Sequence, residues 1–90
     1  MNRPDYWQDL TPRQRLNDAV HKYAQTTGTA YNAAWISFEE RFNTLHDVNL
    51  SSLRLEHAQR YGIIPTIPSY LEGTGKIDDA VSIALAMTEG

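Results

Sequence analysis

The stretch YNAAWISFEERFNTLH, residues 31–46, decides the fold of this 90-residue chain. Tyr31, Trp35, Phe38, Phe42 and Leu45 follow one another in steps of four, three, four and three. Side chains three and four positions apart share a face of an α-helix, so all five fall on one stripe. A stripe this bulky must be covered by neighbouring helices, and the segment is expected to be the spine of an all-α fold. Ala34 joins the stripe and lets another backbone approach closely. Ile36 is the exception. It sits about 140° from the stripe's centre, among polar residues such as Asn32 and Glu40, where it could meet a partner or the N-terminal segment.

Upstream, Thr11-Pro12-Arg13-Gln14 announces a helix. Thr11 and Gln14 have the spacing of a capping box, and Pro12 suits the first helical position. Leu16, Ala19, Val20, Tyr23 and Thr27 make one face, with Arg15, Asp18 and Lys22 opposite and spaced for mutual neutralisation. Gly28 can end the helix in the left-handed conformation, and Thr29 is expected to cap the second helix from about Ala30. Residues 1–10 contain Tyr6 and Trp7 but show no period. They read as an N-terminal arm, either laid across the surface by Trp7 or frayed, ahead of a single domain over residues 11–90.

Downstream, Asn49 or Ser51 can cap a third helix running to Tyr61 and ended by Gly62. Leu50, Leu53, His57 and Tyr61 share one side, Leu55 and Ala58 sit elsewhere, and Glu56 with Arg60 forms a well-oriented i,i+4 pair. Ile63-Ile64-Pro65-Thr66-Ile67-Pro68 cannot be helical throughout, because each proline pushes its predecessor toward extended geometry. Its three isoleucines predict an extended connector buried against the core. Pro68 then starts a short helix closed by Gly73-Thr74-Gly75.

The last helix, from about Lys76 to Thr88, has an inner side of Ile77, Ala80, Val81, Ala84 and Met87, flanked by Ile83 and Leu85. Its apolar arc spans about 200°, twice what a surface helix needs. A terminal helix of so small a domain is expected at the periphery, so this excess points to a second molecule. Ile36, Ile83, Leu85 and Met87 are the candidate partner contacts. The expected architecture is a bundle of four main helices and one short helix, with an extended Ile/Pro connector.

Composition narrows the function classes. A 41% hydrophobic, 21% charged chain with no apolar run of membrane-spanning length belongs with soluble globular domains. The absence of cysteine removes disulfides and the commonest structural zinc sites. A chain this small gains little from its core alone, which raises the expectation of self-association. With no secretory signal and no cysteine, a cytoplasmic location is expected. The net charge of −3, from 8 basic and 11 acidic residues, argues against a general nucleic-acid coat.

No catalytic constellation emerges, and neither a cofactor nor a metal is expected. His21, His46 and His57 lack ligand-spaced partners, and Glu56-His57 lacks the second histidine of a zinc-protease helix. No serine lies in a nucleophile-elbow context. Glu39-Glu40 and Asp78-Asp79 are adjacent pairs that diverge on a helix, and the aspartates suit the positive end of a helix dipole. Residues 66–88 have the outline of a helix-turn-helix, but the would-be recognition helix offers mostly Lys76, two aspartates, Ser82 and a broad apolar surface. For a nucleic-acid-binding alternative the candidate phosphate contacts are Arg13, Arg15 and Lys22 on the first helix.

Several segments together carry a resemblance. They are Thr11-Pro-Arg-Gln-Arg-Leu16, Ala34-Trp35 through Arg41-Phe42-Asn43, Asn49-Leu50, Pro68-Ser-Tyr-Leu-Glu72 and the run from Gly75 to Ala84. In this cadence the chain resembles small prophage-encoded proteins of Gram-positive bacteria, and is similar to terminal regions of some phage antirepressor-type proteins. The resemblance implies an accessory role exercised in the bacterial host cell, and carries over no functional residue. The expected function is protein–protein contact, with self-association through the last helix and with a phage or host protein as further partner. The alternative is a small DNA- or RNA-binding transcriptional regulator.

Overall fold

The computed structural model describes residues 9–89, and every regular element in it is helical. The order is α1 (Pro12–Thr27), α2 (Tyr31–His46), α3 (Leu50–Tyr61), α4 (Ile67–Gly73) and α5 (Ile77–Glu89). This is the small all-α bundle expected, with four main helices and a short one. Most of the N-terminal arm, Trp7 included, lies outside the described residues. Leu10 packs against the core, so the folded body reaches back at least that far.

Side chains cap the starts of α1, α3 and α4. Thr11 Oγ1 accepts from the Gln14 N–H at 3.2 Å while Gln14 Oε1 accepts from the Thr11 N–H at 2.8 Å, which completes the capping box. Gly28, at φ +69°, closes α1, and its N–H donates to the Ala24 carbonyl. α2 differs: its N-cap is Ala30, with no side-chain cap. Thr29 stands one position too early, and its hydroxyl meets that of Thr27 at 2.8 Å instead. The α2–α3 corner is tied by side chains. Asn43 Oδ1 accepts from the Leu50 N–H at 2.8 Å, Asn49 Oδ1 caps Ser52 at 3.0 Å, and Ser51 Oγ donates to Glu39 Oε1 at 2.6 Å.

The core gathers where α1, α2, α4 and α5 meet. Leu16, Ala19, Val20 and Ala24 of α1 face Ala80, Ile83, Ala84 and Met87 of α5, and α1–α5 is the most extensive helix pairing. Ala34, Phe38 and Phe42 are the buried part of the α2 stripe. Its ends are not covered: Tyr31 is 44% exposed, Leu45 is 70% exposed, and Trp35 is half-buried. The neighbouring helices cover only the middle of a 16-residue rod. The stripe remains a continuous run of ring contacts, from His21 on α1 through Tyr31, Trp35, Phe38 and Phe42 to His46. Edge-on pairs such as Trp35–Phe38, 5.7 Å between centroids, each contribute about 0.5–1.5 kcal/mol beyond area burial.

Two sequence expectations fail for one reason. The apolar width of α5 is used inside the subunit: Ile77, Ala80, Val81, Ile83, Ala84 and Met87 are all buried. The chain's last helix is central, packed on α1, α2 and α4, and the outer position belongs to α3. Only Leu50 of α3 is buried, and it rests mainly on α2 through a thin contact. The connector after it does not pack either. Ile63 is 75% exposed and Ile64 is 54% exposed, while Ile67 is already the first residue of α4. Gly62 at φ +86° and the extended geometry before Pro65 carry the chain over the outside, where the Arg54 Nε–H donates to the Pro65 carbonyl at 2.9 Å.

Candidate interaction surface

The candidate partner residues separate in space. Ile83 and Met87 are 9% and 4% exposed, so they belong to the core, Ile83 at its edge where it lines a surface groove. Leu85 is half-buried and packs against that core. Ile36 alone among them is open, 56% exposed on the outer side of α2. The apolar face of α5 is therefore largely used inside the subunit.

The candidate phosphate contacts do not converge. Arg13 shares a groove of about 420 Å³ with Asn17, Tyr31, Trp35, Arg54 and Pro68, and its Nη1 lies 3.6 Å from Glu72 Oε1. Lys22 lines a different hollow, beside Thr26 and Glu89, and its Nζ lies 3.4 Å from Asp18 Oδ2. Arg15, half-buried, lines neither of these two hollows. Arg13 and Lys22 thus face carboxylates at their own surface, which weakens their pull on a phosphate backbone.

The histidines act as flat packing groups. His21 meets the edge of Tyr31 at 5.3 Å, His46 stacks on Phe42 at 4.3 Å, and His57 lies between Tyr61 at 4.6 Å and Tyr70 at 5.8 Å. Among the described residues no three His, Cys, Asp or Glu side chains gather closely enough to hold a metal ion. No helix of the described residues is long and apolar enough to cross a membrane. A wider groove of about 560 Å³ runs between α2 and α5, lined by Tyr23, Glu40, Arg41, Leu45, Ile83 and Ala86. It is open, and its lining mixes an acid, a base, the hydroxyls of Ser37 and Thr44, and aliphatics.

The outstanding surface feature lies on residues that were not candidates in the sequence reading. Leu55 is 54% exposed, Tyr61 66%, Ile63 75% and Ile64 54%, so four of the large exposed hydrophobics fall within one short stretch of chain. Beside them Leu53, Glu56, His57, Arg60, Tyr61 and Tyr70 line a hollow of about 130 Å³. The signal was present as aliphatics on both sides of α3 and as the three isoleucines after it. Burial is the expectation for those three isoleucines, and two of them, Ile63 and Ile64, are exposed.

Fold and surface together define a small all-α bundle with one lightly anchored outer helix that ends in an exposed apolar strap. No protein-family model, curated protein or solved structure matches the chain.

Proposed function

We propose that this protein is a non-catalytic interaction protein, of the phage or prophage accessory type, that works by presenting α3 and the following connector to another protein. The observation that carries the reading is the exposure of Tyr61, Ile63 and Ile64 at the end of α3, on the least packed part of the fold. Isolated exposed aliphatics are ordinary, but several grouped on one weakly anchored element mark a contact site. An isolated helix of 12 residues is marginal in water, so α3 gains from any surface that covers it. The prophage part of the reading rests on the sequence resemblance. In this fold many of its residues are caps and core positions, among them Thr11, Phe42, Asn49, Leu71 and Ala80, so the likeness is one of architecture.

Site-specific photo-crosslinking in bacterial host cells tests the reading. A benzophenone side chain at position 63 is expected to give discrete crosslinked protein bands, whereas one at exposed Ser82 of α5 gives few. Equal yields from both positions would overturn it.

A further inference from the structure

We infer that the occupant of this surface is a second copy of the chain, bound antiparallel along α3 so that Glu56 of each copy meets Arg60 of the other. The inference rests on the contact reading above and commits it to one partner.

The charges motivate the geometry. Glu56 and Arg60 are both exposed, one helical turn apart on α3, and line one hollow with Gln59. Among the described residues they make no ion pair with each other. A two-fold axis presents the same patch twice, so residue i contacts j while j contacts i. An acid and a base on one face therefore form a self-complementary patch. A parallel pairing in register would set like charges opposite one another, while an antiparallel pairing sets opposite charges together twice.

The apolar groups fit the same register. An antiparallel crossing at the level of residue 58 that brings Glu56 to Arg60 also sets Leu53 of one copy beside the end of the other copy's α3, where Gly62 leads into exposed Ile63. Leu53 is half-buried and lines the hollow formed with His57, Tyr61 and Tyr70. Ile63, the most exposed of the large hydrophobics, supplies an aliphatic knob for that hollow. Leu55 lies on the opposite side of α3 by its helical position and stays outside the contact. The interface is small and polar at its rim, so the dimer is weak and depends on concentration.

Sedimentation equilibrium on the full chain and on charge-reversed variants tests the arrangement. The wild-type mass is expected to rise from one chain toward two between about 1 µM and about 1 mM. Glu56→Arg and Arg60→Glu should each remain one chain over that range, because each sets like charges across the axis twice. Mixing the two variants restores both ion pairs and should give a heterodimer. Ile63→Ser should weaken association at least about tenfold, while Leu55→Ser leaves it unchanged. Circular dichroism melts accompany each variant, and the rescue by mixing would require both partners to be folded.

A wild-type chain that stays monomeric at about 1 mM, or single charge reversals that dimerise as the wild type does, would overturn the proposal. So would failure of the two folded variants to associate. A monomer that still crosslinks from position 63 to a different protein would overturn only the second-copy assignment. A monomer with no preferential crosslinking at position 63 would overturn the contact reading as well.

Discussion

The Nε–H of Arg54 donates to the Pro65 carbonyl at 2.9 Å, across eleven residues of chain. This bond, with His57 packed against Tyr70, holds the outer helix and its connector to the α4 end of the body. Hydrophobic burial contributes little there, since only Leu50 of α3 is fully enclosed. A charged donor on a partly buried carbonyl is accordingly a large share of what fixes α3. Arg54→Ala is expected to lower the unfolding free energy by about 1–2 kcal/mol in urea titration. Arg54→Lys should not restore it, because an ammonium on a flexible stem does not reproduce the in-plane Nε–H. Full restoration by lysine would mean that charge alone holds the connector.

The buried middle and the exposed end of the α2 stripe give opposite expectations. Phe38→Ala and Phe42→Ala each should cost about 3–5 kcal/mol, enough to unfold a domain this small. Leu45→Ala, at a side chain 70% exposed, should stay within about 0.5 kcal/mol. Trp35→Ala should fall between them, since its ring is half-buried between Tyr31 and Phe38. Equal costs at positions 42 and 45 in urea unfolding would mean that the stripe is covered along its whole length.

Helix positions and caps were legible because they depend on neighbours three or four residues away. Thr11 with Gln14, Gly28, Asn49 and Gly62 all act as their local chemistry requires. The inner face of α5 was legible too, since Ile77, Ala80, Val81, Ala84 and Met87 share one face and all are buried. What the pattern could not decide is which helix takes the centre. The width of the α5 arc fits burial by neighbours in one subunit as well as by a second molecule, and only the tertiary arrangement separates the two. The same ambiguity placed the isoleucines of the connector inside, where the fold leaves two of them in solvent. The candidate contacts Ile83 and Met87 therefore fall within the core, while the exposed apolar residues Tyr61, Ile63 and Ile64 lie at the end of α3 and after it.

Moving the centre of the fold to α5 changes what a substitution there should do. Ile83→Asp places a carboxylate at a side chain 9% exposed, beside Ala19 and Val20 in the same core cluster. Burying an unpaired charge is expected to unfold the subunit, seen as loss of the cooperative thermal transition. Ser82→Asp, one residue earlier on the exposed side, should leave the melting curve within the small range of surface changes. A folded, soluble Ile83→Asp protein would show that this face of α5 is open.

Asp47 ends α2 in the left-handed region, at φ +53°. A side chain with a Cβ is disfavoured there, and glycine is not. Asp47→Gly is expected to raise the unfolding free energy by up to about 1 kcal/mol, the relief of strain exceeding the entropy added to the unfolded chain. Denaturant titration reads the sign directly. A loss of stability would show that the Asp47 carboxylate stabilises the corner by more than its backbone costs.

Hydrogen–deuterium exchange of the amides of α3 against those of α5 tests the central claim most directly. The claim is that α5 is fixed within the subunit while α3 awaits a covering surface. In dilute protein the amides of α5 should exchange only through near-global opening, while those of α3 exchange through much cheaper local openings. Raising the protein concentration should slow exchange in α3. Amides of α3 as protected as those of α5 in dilute protein, or exchange in α3 that does not slow as concentration rises, would contradict the account.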